Sequence, residues 1–205
     1  MADRARVRQG SAKSRYRARS RGHARGTRWA IGVSAAAVLV AVGWLGLRNR
    51  TVVVRPTGIV GTAVGDTAPA FHVPDIQGQL VGLSAGEPTL LYFVAAWCSS
   101  CAYGESQLRQ VYDRYGRQVH LITVDVDPGQ DTLQMVNTFV KDYGGPWPTV
   151  LDQHQELTRL YRVTALDSSD LISSGGVIVY AAQAPLSATQ WDARLRSLLA
   201  RTVAA

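Results

Sequence analysis

Cysteine is nearly absent from these 205 residues: Cys98 and Cys101 are the only two. That excludes a disulfide-stapled scaffold and a zinc site built on four cysteines. The four histidines, His23, His72, His120 and His154, stand at no metal-ligand spacing. Acidic residues almost vanish from the first fifty positions, where twelve Lys/Arg face a single Asp. Residues 51–205 reverse the balance, with ten basic and fourteen acidic side chains. No proline occurs between Pro148 and Pro185. Neither a phosphate-binding glycine loop, nor a dinucleotide fingerprint, nor a G-x-S-x-G elbow is present. What remains, 46% hydrophobic with 19 Gly and 8 Pro, excludes a collagen-like or wholly disordered chain.

The basic arm and the acidic body are joined by a third zone. Residues 1–28 are rich in Arg, Ser and Gly without apolar periodicity, so a disordered cytoplasmic tail is expected there. Trp29 to Leu47 then run nineteen positions without a charge. As a helix this run would be about 28 Å long, close to the hydrocarbon thickness of a bilayer. Arg28 and Arg48 bracket it, and Trp29 and Trp44 sit near its ends. Ten Lys/Arg precede it, so the positive-inside rule keeps the N-terminus in the cytoplasm and the body outside. A cleavable signal peptide competes, but its n-region would be unusually long and no small-x-small site follows Leu47 closely. The expectation is a single-pass membrane anchor at 29–47, a connector at 48–64 and one globular domain at 65–205. The basic tail fixes topology in this reading, and no nucleic-acid partner is expected.

Within the body, Phe71–Val73 and Leu80–Leu83 about Gln77-Gly78 predict a hairpin. Thr89–Ala95 predicts a buried strand, and Cys98–Tyr115 a helix ending at Gly116. A strand at Val119–Val126 follows. Asp131 with Gln134 predicts a capping box opening the next helix. A short helix covers Gln155–Tyr161, strands flank Gly175-Gly176, and Ser187 with Gln190 caps a last helix through Leu199. The order β-β-β-α-β-α-(α)-β-β-α implies an α/β fold, a mixed sheet with helices on both faces.

Cys98-Ser99-Ser100-Cys101 falls where a strand gives way to a helix. The first cysteine lies at a helix N-terminus, where free N–H groups and the dipole favour thiolate. The second lies one turn on, within reach of a disulfide. A C-x-x-C is weak evidence alone, because zinc ribbons use it too. At a strand–helix junction in a βαβ setting it reads as thiol–disulfide chemistry, with an inert structural disulfide as the bland alternative.

Ala95-Ala96-Trp97-Cys98-Ser99-Ser100-Cys101 resembles the active site of the thioredoxin superfamily, most closely its membrane-anchored, extracytoplasmic TlpA/ResA-like branch. Gly65-Asp66-Thr67-Ala68-Pro69-Ala70-Phe71, Val124-Asp125-Val126-Asp127 and Trp147-Pro148-Thr149-Val150-Leu151-Asp152 extend the resemblance over about residues 64–200. It implies a thioredoxin-like fold in which Cys98 attacks, Cys101 resolves and Trp97 covers the site. Ser99 and Ser100 bring no charge to the pair. Three positions depart from the branch. Asp167, after Leu166, stands where relatives carry a cis-proline; it either faces the thiols or turns the loop outward. Tyr92 replaces a buried Asp or Asn and reads as a packed aromatic. Gly104 replaces a Glu, which leaves Glu105, on the same helix face as both cysteines, as the candidate to deprotonate Cys101.

The expected function is a membrane-anchored thiol–disulfide oxidoreductase acting on exported proteins, without cofactor or metal. Having one cysteine pair, it needs a separate redox partner protein. A thioredoxin-fold copper-handling assembly factor, using the two cysteines as soft ligands, and a redox-inactive interaction domain are the alternatives.

Overall fold

The computed structural model describes residues 54–202. The tail and the anchor expected at 29–47 lie outside these residues. Among the described residues no helix is long and apolar enough to cross a membrane.

The apolar run after Pro88 forms β3 (Thr89–Val94), every residue of which is buried. Alternation explains how one strand serves two cores, since successive side chains leave opposite faces of a sheet. Leu90, Tyr92 and Val94 pack with Leu108, Val111, Trp191 and Leu195. Leu91 and Phe93 pack with Phe71, Val81, Tyr161 and Ile178. The partners of the first set come from α1 (Ser99–Tyr115) and α4 (Ala188–Thr202), joined by Phe139 of α2 (Leu133–Asp142). The second face takes the hairpin of β1 (His72–Pro74) and β2 (Leu80–Gly82), with the short α3 (Glu156–Leu160).

The central sheet runs β5-β4-β3-β6-β7. Its further strands are β4 (His120–Asp125), β5 (Thr149–Leu151), β6 (Ser168–Ile172) and β7 (Ile178–Gln183). Strands β3, β4 and β5 are mutually parallel, while β6 pairs antiparallel with both β3 and β7. The thioredoxin-like mixed sheet expected from the sequence is present. Strand β5 was absent from the expected order; three residues between Pro148 and Asp152 carry too little periodicity to announce themselves. The second helix also starts differently. Its N-cap is Thr132, whose hydroxyl accepts from Met135 N, and not Asp131. The Ser187–Gln190 cap forms as expected, Gln190 Oε1 accepting from Ser187 N at 2.9 Å. Residues 57–67, partly within the expected connector, are tied by backbone hydrogen bonds such as Thr57 N to Gly65 O and Gly65 N to Ile178 O, both 2.8 Å.

Candidate active site

The sheet delivers the cysteines to its edge through β3. The strand ends at Val94, the chain turns through Ala95–Trp97, and Cys98 becomes the N-cap of α1. Cys98 N donates to Ala95 O at 3.0 Å, and Cys98 Sγ accepts from Cys101 N at 3.2 Å. One helical turn on, Cys101 closes the disulfide with Cys98 across a Cα–Cα distance of 5.2 Å. Cys101 is wholly buried, while Cys98 keeps 6% of its surface exposed. The sulfur that a partner can reach is therefore that of Cys98.

Two buried carboxylates hold the turn from below. Ala96 N donates to Asp125 Oδ2 at 2.9 Å and to Asp131 Oδ2 at 2.7 Å. Asp131 is thus diverted from the cap expected of it, because an amide left at the end of β3 needs an acceptor. Burial, and after it the neighbouring Asp131 charge, pushes the Asp125 carboxyl up to about 7. Asp125 also accepts from Asp127 N. Trp97 is half exposed, and its Nε1 donates to Asp127 Oδ2 at 3.0 Å.

Asp167 faces the sulfurs. Of the two roles open to it, turning the loop outward is excluded: the residue is 4% exposed, at the N-terminal end of β6. Its Oδ1 accepts from Tyr92 OH at 2.5 Å and its Oδ2 from Ser100 Oγ at 2.7 Å. Ser100 Oγ lies 3.2 Å from Cys98 Sγ. A chain Tyr92–Asp167–Ser100–Cys98 results, and Sγ of both cysteines and a carboxylate oxygen of Asp167 lie within 4.8 Å of one another. Asp167 adopts φ 61°, a left-handed conformation that Asp tolerates better than most residues. Tyr92 is a packed aromatic, edge-on to Trp191 with ring centres 5.7 Å apart. Its hydroxyl is pushed far above the ordinary phenol value, by burial first and by Asp167 second. A base it is not.

Glu105 is buried on the inner face of α1, as helical spacing from Cys101 requires. Its Oε1 accepts from the Thr123 hydroxyl of β4, whose oxygen accepts from Trp147 Nε1 at 2.9 Å. Its Oε2 is buried without a partner, and burial pushes the carboxyl up to about 7 against the lowering effect of Thr123. Leu166 packs partly buried against the cluster that holds the cysteines, and Ser99 is exposed. Asp125, Asp131 and Thr123 are the site-building residues that sequence reasoning missed. They act through contacts 18 to 35 positions away, and no local motif signals such contacts.

A family model described as the AhpC/TSA family matches residues 64–181, more than half of the chain. Thiol-disulfide oxidoreductase ResA of Bacillus thuringiensis is 31% identical over 119 residues, 57% of this chain and 67% of the relative. Sporulation thiol-disulfide oxidoreductase A of Bacillus subtilis is 29% identical over 122 residues, 58% and 74% of the two chains. Among solved structures, StoA from Bacillus subtilis aligns with a TM-score of 0.54 and 28% identity, over 60% of this chain and 96% of that one. With a Cys98–Cys101 disulfide at the end of β3, the chain belongs to the AhpC/TSA family, among its thioredoxin-fold thiol–disulfide oxidoreductases.

Proposed function

We propose that the protein exchanges disulfides with exported proteins from a membrane anchor at residues 29–47. The observation that carries the reading is the asymmetry of the pair. Cys98 caps the N-terminus of α1 and keeps a sliver of exposed surface; Cys101 is sealed behind it. In the reducing direction the Cys98 thiolate attacks a substrate disulfide, forming the mixed disulfide and releasing one substrate thiolate. The Cys101 thiolate then attacks Cys98 Sγ, releasing the second substrate thiolate and closing the Cys98–Cys101 bond. Glu105 takes the Cys101 proton in this step, through the carboxylate oxygen that has no other partner. The oxidising direction is the reverse sequence. A polypeptide substrate suits the surroundings: the exposed Met135 and Tyr143 line, with Ala96, a groove of about 380 Å³. The anchor rests on the uncharged run and the arginine asymmetry around it.

The test is the reduction potential of the full chain in detergent, equilibrated in thiol/disulfide buffers and trapped by alkylation. A reversible two-electron transition between about −120 and −280 mV is expected. A disulfide still closed well below about −300 mV marks a structural bond and overturns the reading. Membrane insertion is tested separately, by alkaline extraction of membranes and by protease access to the domain from the outer side.

Glu105 also ties stability to pH. Its carboxyl titrates near 7 in the fold against an ordinary 4.5, so between those values the folded chain holds a proton that the unfolded chain has lost. Its contribution is fully present below pH 4.5, falls as pH rises, and is lost above 7. The expected loss is about 3 kcal/mol at most, from 1.36 kcal/mol per unit. Glu105→Gln is expected to reduce the difference in urea-unfolding free energy between pH 5 and pH 8 by Glu105's share, leaving that of Asp125 and Asp170, whose carboxyls burial also pushes up to about 7. It should also lengthen the life of the mixed disulfide, which a purely structural Glu105 would leave unchanged.

A further inference from the structure

Opening the disulfide creates an electrostatic problem that the described residues do not solve with a cation. Two buried sulfurs and the buried Asp167 carboxylate come together within 4.8 Å. The only ion pairs among the described residues join Asp192 to Arg114 and Arg196, elsewhere on the surface. While the disulfide is closed, Asp167 is the sole charge of the cluster and two hydroxyls satisfy it. Once the pair is reduced, either the thiols keep their protons or a cation replaces them.

We propose that the reduced protein binds one zinc ion through Cys98 Sγ, Cys101 Sγ and a carboxylate oxygen of Asp167. This site rests on the pair opening as the proposed function requires, but it adds a ligand and a regulation that the exchange reaction does not need. The donor set selects the metal. Two thiolates with one carboxylate suit zinc, which takes sulfur and oxygen together, better than copper(I), which prefers sulfur alone. Three protein ligands leave a fourth position for water or an incoming thiolate. The supports are already in place. Tyr92 and Ser100 hold both oxygens of Asp167, as outer-shell hydrogen bonds orient metal-binding carboxylates. The 5.2 Å separation of the Cys98 and Cys101 Cα atoms lets side-chain rotation part the sulfurs without unwinding α1. The balance is simple: a dithiol reductant supplies two electrons to open the bond, and zinc then displaces the two thiol protons. No electron passes to or from the metal. Zinc held this way withholds Cys98 from substrates, so the ion competes with disulfide exchange.

The test uses the full chain in detergent. The protein is reduced with a phosphine, desalted without oxygen, and titrated with zinc chloride against a chromogenic chelator. One zinc per reduced chain is expected, and none per oxidised chain. Asp167→Asn is expected to weaken binding about ten- to a hundredfold, and Ser100→Ala less, towards tenfold. Cobalt(II) in place of zinc should give the intense visible bands of a tetrahedral thiolate site, diminished in Asp167→Asn. At free zinc a hundred times its dissociation constant, the dithiol–disulfide equilibrium should move about a hundredfold towards the dithiol. That corresponds to a potential about 59 mV higher, at 29.6 mV per tenfold. A reduced wild-type chain without stoichiometric zinc overturns the proposal, and needs no variant. Equal zinc affinity in wild type and Asp167→Asn, or tight copper(I) binding indifferent to Asp167, overturns the assigned ligand set. A pair that cannot be reduced at all defeats the exchange reading instead, and the zinc-free potential separates the two failures.

Discussion

Alkylation of the reduced protein at pH 7, without added metal, should run about ten- to a hundredfold faster in Asp167→Asn than in the wild type. Two effects oppose each other at Cys98. The N-terminus of α1 favours its thiolate by about 1 kcal/mol, the usual reach of a helix dipole. A carboxylate within 4.8 Å disfavours it by about 3 kcal/mol at an effective dielectric of about 20. The carboxylate wins. It acts a second time through Ser100, whose single hydroxyl proton is drawn to Asp167 and so is unavailable to a Cys98 thiolate. Asparagine keeps an acceptor oxygen and the volume while removing the charge. The variant should therefore fold and react faster with iodoacetamide. The measurement is the second-order rate across pH 5 to 9. An unchanged rate would show that Asp167 leaves the sulfurs electrically untouched.

This charge was half legible in the sequence. The missing proline between Pro148 and Pro185 and the resemblance placed Asp167 opposite the cysteines, but its direction stayed open. Its direction depends on Tyr92 and Ser100, which are 75 and 67 positions away. Local patterns fared better where local physics decides. The apolar run that became β3, the Gly175-Gly176 turn and the Cys98 helix start all express short-range rules of burial, turn geometry and capping. Those rules failed at Asp131, where the local cap competed with a distant amide and lost. The face of Glu105 followed from its spacing to Cys101, whereas its depth depended on Thr123, a neighbour in space only.

Gly104→Ala is expected to destabilise the fold by about 1 to 3 kcal/mol, the usual cost of overpacking, although glycine to alanine inside a helix normally gains up to about 1 kcal/mol. A Cβ at position 104 would lie 2.0 Å from Tyr92 OH, 3.0 Å from its Cζ and 3.4 Å from Pro185 Cβ. Tyr92 cannot swing aside, being 1% exposed, edge-on to Trp191 and bonded to Asp167. The two departures from the family pattern are thus one: a tyrosine reaching from β3 to Asp167 needs the volume that a side chain at position 104 would fill. Coupling follows from this. Tyr92→Phe alone should cost about 1 to 2 kcal/mol, because a buried carboxylate loses a donor. In that background Gly104→Ala loses the clash with the hydroxyl but still meets the ring carbon at 3.0 Å and Pro185 Cβ at 3.4 Å, so it should cost less, and the pair should show an interaction of about 1 to 2 kcal/mol in a double-mutant cycle. Urea unfolding of the four proteins measures it. Equal costs for Gly104→Ala with and without the Tyr92 hydroxyl would disprove the coupling. A measured coupling would tie Asp167's orientation to a glycine one turn into α1, and with it the reactivity of Cys98.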